Sequence, residues 1–330
     1  MLIKIENPDR IPDPDALSGR TAKVAPGRRG LIARTTLSFS LTLTFLLPHA
    51  AFAQQATSLL GKPLHPAKPS EKLLERLAEH QKNYEADPSA DNLIWFARFQ
   101  AYSGDYRAAI ETLTKGIQQY PDDARMFRHR GHRYISIREF DKAIADFDRA
   151  IELIDGKPNE IEPDGMPNER NIPVSTLHGN IWYHKGLAHY LKAEWNEALK
   201  AYQTCQRTGE NDDNIVSSGH WIHSILSRMG KHDEAKKSLE NIEHDMDIIE
   251  NHSYHRACLF YKGLITAEEL TGGLDDTPSG DSIRYAYANW LLTHGNTAEA
   301  KAAMEKIVAA DGWASFGHIA AEADLARMRK

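Results

Sequence analysis

The sequence is poor in cysteine and lacks the standard catalytic motifs. Its 330 residues include two cysteines, Cys205 and Cys258, and no Cys-x-x-Cys pair, which excludes a cysteine-rich scaffold and a zinc or redox site of that type. A disulfide between these two cysteines stays open for an exported chain. Glycine-rich phosphate loops and the G-x-S-x-G and H-E-x-x-H motifs are also missing, so no standard motif indicates an enzyme.

Basic charge is not in excess either. The chain has 40 Lys and Arg against 46 Asp and Glu, a formal net charge of −6. We therefore expect no binding of nucleic acid, because affinity for phosphates depends on concentrated Lys and Arg. Apolar residues make up 41% and charged residues 26%, a balance that is typical of a globular protein. Nothing in the sequence implies a cofactor.

Residues 1–53 have the features of a cleaved secretory signal of bacterial type. A basic flank at 28–34 precedes thirteen uncharged residues, 35–47, and a small-x-small site at Ala51-Phe52-Ala53. A membrane span needs about 20 apolar residues, whereas six of these thirteen are Ser or Thr. We predict cleavage after Ala53, export to the periplasm or beyond, and no stable membrane span afterwards. The general secretory route is favoured, and Arg28-Arg29 leaves the twin-arginine route open. The proline-rich residues 54–69 are predicted to be a linker.

A period of 34 residues organises the chain after residue 70. The spacing within one unit is reproduced in a later one: Gly131, Phe140, Ala143, Phe147 and Ala150 correspond to Gly186, Trp195, Ala198, Tyr202 and Cys205. Such a period predicts stacked pairs of helices, in which small residues allow the two helices of a pair to approach closely. Tight turns are predicted near Gly104, Arg138, Ala193, Gly230 and Gly295.

This pattern resembles the tetratricopeptide repeat. The resemblance implies an all-α fold, a right-handed α-solenoid of about five to six helix-turn-helix repeats with a leading half-repeat and a C-terminal capping helix. We assign the solenoid to residues 70–314 and the capping helix to 315–330. The strong units are 90–123, 124–157 and 179–212, and the weaker ones are 216–249, 250–280 and 281–314. Residues 158–178 are an inserted loop, interpreted as surface structure. The alternative is an irregular helical bundle.

The resemblance also implies that the first helix of each pair lines a concave groove. The predicted groove residues are mostly aromatic, cationic or neutral polar: Ile94, Arg98, Arg128, His132, Tyr183, His184, Leu187, His220, Trp221, Ser224, Tyr254, Tyr285 and Asn289. Such a lining favours a protein or peptide partner, including one with an acidic segment that binds at Arg98, Arg128 and His132. The histidines would strengthen that contact on acidification near pH 6.5.

Two other classes of function stay open. A structural or assembly protein would act through the convex face or the inserted loop. A metal-dependent hydrolase would use His-x-x-His pairs, which place two imidazoles on one helix face: His129/His132, His220/His223 and His252/His255. No pair has a third ligand nearby in sequence, so we expect no metal site. The leading hypothesis is a non-enzymatic repeat scaffold.

Overall fold

The computed structural model describes residues 53–209, 211–274 and 277–329. The predicted signal peptide therefore lies outside the described residues, apart from Ala53. Within those ranges the chain forms fourteen α-helices and one two-stranded hairpin, which confirms the all-α class. None of the fourteen helices is long and apolar enough to cross a membrane.

The helices follow one another in antiparallel pairs. The pairs are α2 (Ala90–Tyr102) with α3 (Tyr106–Gln119), α4 (Ala124–Ser136) with α5 (Phe140–Ile154), α6 (Leu177–Leu191) with α7 (Trp195–Gln206), α8 (Asp212–Arg228) with α9 (His232–Lys237), α10 (His252–Tyr261) with α11 (Ala267–Thr271), and α12 (Pro278–Thr293) with α13 (Thr297–Ile307). A single helix, α1 (Glu71–Ala86), precedes them and another, α14 (Phe316–Met328), follows.

The predicted turns between paired helices share one backbone conformation. Positive φ angles of 61–87° occur at all five predicted positions: Gly104, Arg138, Ala193, Gly230 and Gly295. Glycine adopts this left-handed region without steric cost, whereas Arg138 and Ala193 hold it against the usual penalty for residues with a Cβ atom. The repeat period therefore locates the turns even where the residue type does not favour them.

Small residues in the helix pairs make the close approaches that the period predicts. A Cβ atom on Gly131 would lie 2.8 Å from Phe147, and one on Gly186 would lie 2.7 Å from Tyr202. These two contacts occupy the same place in successive units. The small residues of the second helices are buried: Ala109, Ala143, Ala198, Ala235 and Ala300 are at most 1% exposed. The pairs thus pack ridge into groove around a continuous core.

Residues 54–69 differ from the predicted linker. Strand β1 (Ala56–Thr57) pairs with β2 (Pro63–Leu64) in an antiparallel hairpin whose turn contains Gly61. Ala56 and Leu64 pack with Ile137 and Trp313. The hairpin is therefore part of the fold, because its buried apolar face contacts both the second helix pair and the chain before α14.

The inserted segment, residues 158–178, lies mostly at the surface, but hydrogen bonds anchor it to the array. Its ends are tied together, since Glu162 N donates to Ser175 O at 3.0 Å and Leu177 N donates to Glu160 O at 2.9 Å. Between these ends the segment contacts distant parts of the chain. Asn168 Nδ2 donates to Glu250 at 2.6 Å, and Arg170 pairs with Asp247 at 2.6 Å.

Candidate functional site: a cavity on the inner face

The first helices of separated units meet on one side of the array, which we call the inner face. The hydroxyls of Tyr190 on α6 and Tyr285 on α12 are 2.7 Å apart. Asp324 on α14 accepts a hydrogen bond from Tyr285 at 2.9 Å and also pairs with Arg228 on α8. The array therefore curls until α6, α8, α12 and α14 are in contact, and α14 covers part of the inner face rather than only capping the end.

This curling corrects the expected outward position of seven predicted groove residues. Each of them is at most 5% exposed and lies in the packed interior: Ile94, Leu187, His220, Trp221, Ser224, Tyr285 and Asn289. They are buried because neighbouring first helices, and α14 in the closing part of the array, pack directly against them. A partner therefore cannot contact them unless the array opens.

Five other predicted residues do come together, around an opening that we call the central cavity. Arg128, His132, Tyr183, His184 and Tyr254 line it, although Arg128 and His184 are themselves only 8% and 5% exposed. Its volume is about 400 Å³. Several lining residues were not predicted from the sequence: Asn180, Asp213, Ser217, Glu250 and Phe316. Asn180 lies one helical turn before His184, so the spacing of three to four residues could have identified it.

Three helices begin at the central cavity. The lining includes Gly179 in the first turn of α6, Ser279 in the first turn of α12, and Phe316, the first residue of α14. The N-terminus of a helix carries a partial positive charge, although the side chains of Thr176, Thr277 and Ser315 already cap these three helices. This edge of the cavity therefore favours carbonyl or carboxylate oxygens of a ligand.

The aromatic wall of the cavity is held by hydrogen bonds. Trp221 Nε1 donates to the Tyr183 hydroxyl at 2.8 Å, and that hydroxyl donates to Tyr254 at 2.9 Å. Burial raises the pKa of both Tyr183 and Tyr254 above its usual value, so both phenols stay protonated. Phe316 lies 5.4 Å from the ring of His132. The wall offers flat apolar surface and hydroxyl groups, which suit a peptide.

The predicted anion site is already occupied by the chain itself. Glu162 of the inserted segment lies 3.1 Å from Arg128 and 3.3 Å from His129, and Arg98 donates to Pro163 O at 2.9 Å. Both Arg128 and Glu162 are 8% exposed. Sequence reasoning missed Glu162, although an acidic segment inserted after a strongly basic helix indicates such pairing.

The inner-face histidines do not behave as the sequence suggested. Burial, with nearby Arg128 and Arg133, lowers the pKa of His132 and His184 well below 6.5, and burial lowers the pKa of His220 to about 3. These imidazoles are therefore neutral at pH 6.5. The hypothesis that they gain charge near that pH and strengthen binding is wrong.

The comparisons with known proteins agree with the repeat geometry. Over 98 residues the chain is 32% identical to human tetratricopeptide repeat protein 13, a match covering 29% of this chain and 10% of that protein. It is 25% identical over 107 residues to human tetratricopeptide repeat protein 16, covering 32% of this chain and 11% of that protein. About a third of the chain is thus similar in sequence to proteins built from tetratricopeptide repeats. The chain spans only about a tenth of either relative's length.

Two further comparisons add little. The crystal structure of a tetratricopeptide repeat protein from Parabacteroides merdae superimposes with a TM-score of 0.44 at 12% identity, covering 77% of this chain and 92% of that one. A score of this size supports no inference about function. No family model matches the chain.

The described part of the helical array offers no metal-ligand cluster and no reactive thiol. No cluster of three or more His, Cys, Asp and Glu side chains there is arranged to bind a metal ion. Cys205 and Cys258 are buried and unpaired, so the possible disulfide between them is not formed. Cys205 lines the central cavity, but burial raises its pKa to about 12. Its thiol is therefore not a nucleophile at neutral pH.

Proposed function

We propose that this protein is an exported, non-catalytic scaffold that binds a protein or peptide partner in the central cavity. One observation carries the proposal: the cavity is the place on the inner face where five predicted binding residues come together beside helix N-termini and aromatic rings. A volume of about 400 Å³ accommodates a few peptide residues. The partner is therefore held by a short segment rather than by an extended helix.

The lining indicates what that segment contains. The positive ends of the helix dipoles of α6, α12 and α14 suit main-chain carbonyls and acidic side chains. Tyr183, Tyr254 and Phe316 provide flat surfaces for apolar or proline side chains. Arg128 is already neutralised by Glu162, so we infer that an acidic residue of the partner binds at the helix N-termini and not at Arg128.

A variant that fills the cavity tests this proposal. Ser253→Trp places a large ring at the cavity, whereas Gln203→Trp places the same ring on an exposed site of α7. Peptides are selected from a random display library on the wild-type protein, and their affinities are compared by fluorescence anisotropy. We expect Ser253→Trp to abolish binding and Gln203→Trp to leave it unchanged, with helicity by circular dichroism intact in both. Equal binding to all three proteins would refute the proposal.

Export is proposed from the sequence and is compatible with the fold. Gln55 is 1% exposed, and its side-chain oxygen accepts a hydrogen bond from Arg107 N at 3.0 Å. Cleavage after Ala53 leaves this buried residue in place. We expect the intact mass of protein recovered from the periplasm or medium of an expressing bacterium to correspond to a chain that starts at Gln54. A chain that stays in the cytoplasm at full length would contradict this.

An assembly role is the second candidate, because one observation favours it. Large apolar side chains are exposed on the inserted segment: Ile161 is 61%, Met166 52% and Ile172 43% exposed. Exposed apolar residues grouped on one segment are typical of contact surfaces. Replacing all three by serine should reduce self-association or capture of a large partner, measured by light scattering, without affecting peptides bound in the central cavity.

A further inference from the structure

The inserted segment has a fixed base and a tip that contacts other helix pairs. At the base, Ile161 pairs with Thr176 in an antiparallel bridge. Asn180 Nδ2 donates to Glu162 at 3.0 Å, and Glu162 is 8% exposed, so the base is packed into the array. We call residues 163–174, which lie between the two arms of this base, the tip.

One side of the tip packs closely against α2. Arg98 donates to Pro163 O at 2.9 Å. Gly165 is buried and lies so close to Tyr102 that a Cβ atom at this position would overlap the phenol hydroxyl. This contact leaves little room for movement, so it is the natural pivot of the tip.

The other side of the tip is held by contacts that face the solvent, at the chain that enters α10. Arg170 pairs with Asp247 at 2.6 Å, and the two side chains are 46% and 73% exposed. Asn168 Nδ2 donates to Glu250 at 2.6 Å. Exposed pairs contribute little to stability, because water competes for both partners. This attachment is therefore the weaker of the two.

Two carboxyl groups meet at the weaker attachment. The side chains of Asp164 and Glu250 are hydrogen-bonded to each other, and such a bond requires one proton, because a carboxylate has no donor. Burial raises the pKa of both groups above its usual value. Glu162 strengthens this effect on the pKa of Asp164 and Arg98 opposes it, while Asp213 strengthens the effect on Glu250. Without the proton, the two carboxylates repel each other.

We propose that the tip is an acid-dependent clasp, closed on the α10 side when Asp164 and Glu250 share a proton and released on that side when both are ionised. Both groups hold a proton more tightly in the closed form than in the released form, so the closed form gains as the pH falls. The neighbouring ion pair does not oppose this, because the hydrogen bond from Arg170 lowers the pKa of Asp247 and keeps that pair charged in mild acid.

The clasp also bears on the central cavity, because Glu250 and Val174 line it. The closed form carries one negative charge fewer at this edge than the released form. If the central cavity binds an acidic segment of a partner, as we propose above, that segment meets less repulsion in the closed form. The clasp itself does not rest on this role.

Spin labels report the position of the tip without any ligand. One label is attached to Glu169→Cys in the tip and the other to Lys236→Cys on α9, both at exposed positions, while the native cysteines are buried. Double electron–electron resonance gives the distance distribution at pH 8 and pH 5. We expect the ratio of closed to released form to rise about tenfold at pH 5, the change for a pKa that differs by about one unit between the forms. The same distribution at both pH values would overturn the proposal.

Matched variants test the carboxyl pair itself. Asp164→Asn supplies an amide that donates to Glu250 at any pH, so the closed form should dominate at both pH 8 and pH 5. Asp155→Asn changes an exposed aspartate just before the inserted segment and should respond to pH as the wild type does. A wild-type response in Asp164→Asn, or a lost response in Asp155→Asn, would refute the assignment. If circular dichroism shows that Asp164→Asn does not fold, Glu250→Gln must remove the pH response or the proposal fails.

Discussion

Removing the charge of Glu322 tests how α14 is held against the array. Glu322 is 1% exposed, and its carboxylate accepts hydrogen bonds from Arg138 Nη2 at 2.7 Å, Arg138 Nε at 3.1 Å and Leu59 N at 2.6 Å. It therefore joins three parts of the chain: α14, the turn between α4 and α5, and the amino-terminal hairpin. Glu322→Gln keeps the shape of the side chain and removes its charge.

The expected loss is large, because the partner cation cannot reach water. The Arg138 side chain is 3% exposed, and breaking a buried pair by removing one member costs about 3–5 kcal/mol. We expect Glu322→Gln to lower the free energy of unfolding by about that amount in urea titrations followed by circular dichroism. Amide exchange in α14 should rise as well. The control is Glu305→Gln on α13, whose exposed pair with Lys301 should contribute less than about 1 kcal/mol.

A double-variant cycle decides whether the effect belongs to the pair. Arg138→Met combined with Glu322→Gln removes both charges, so the double variant should be more stable than the sum of the single losses predicts. The reasoning is refuted if Glu322→Gln costs less than about 1 kcal/mol, or if the two losses simply add. Either result would mean that the Arg138–Glu322 pair does not hold α14 against the array.

Three further predictions address the turns, the core and the histidines. Ala193→Gly should stabilise the fold by about 0.5–1 kcal/mol, because Ala193 has a φ of 61° and glycine removes the strain; no gain in urea titrations would contradict this. Gly186→Ala should destabilise the fold by about 1 kcal/mol, since the new Cβ would lie 2.7 Å from Tyr202 and overpacking outweighs the gain in helix propensity. Thermal melting of the variant checks this. Burial lowers the pKa of His220 to about 3 and of His223 to about 4 in the folded protein, whereas the value in the unfolded chain is near 6.5. The free energy of unfolding is therefore full above pH 6.5. Below that pH it falls by roughly 1.4 kcal/mol per pH unit for each histidine. Urea midpoints at pH 7 and pH 5 should show this loss, and the double variant to glutamine should show less of it.

The helix pairs can be predicted from the sequence because each pair depends on contacts between residues that lie close together in the chain. Each second helix needs a small residue where it crosses the first, so Ala143 and Ala198 recur at fixed distances from Gly131 and Gly186. The turn conformation follows from the same spacing even at Arg138. Such short-range regularity is what a single sequence displays.

The closing of the inner face depends on contacts between residues far apart in the chain. Glu322 pairs with Arg138 across 184 residues, and Asn168 bonds Glu250 across 82. No periodic signal marks such contacts. The sequence nevertheless contains one clue: six of the nine residues 317–325, all of them buried in α14, are Gly, Ala, Ile or Leu. A capping helix needs a polar outer face, so this composition favours a buried helix.

The burial of α14 also limits what the array can bind. An extended helix in the groove would have to displace α14 and expose Ile319 and Leu325, which are 0% and 3% exposed. Each such side chain contributes about 1.5–3 kcal/mol when buried, so displacement would weaken binding by a factor of roughly 10²–10⁴. A complex with a micromolar dissociation constant has only about 8 kcal/mol in total. A segment that fits the central cavity beside α14 avoids this loss, and we therefore expect natural partners to present a short segment to this protein.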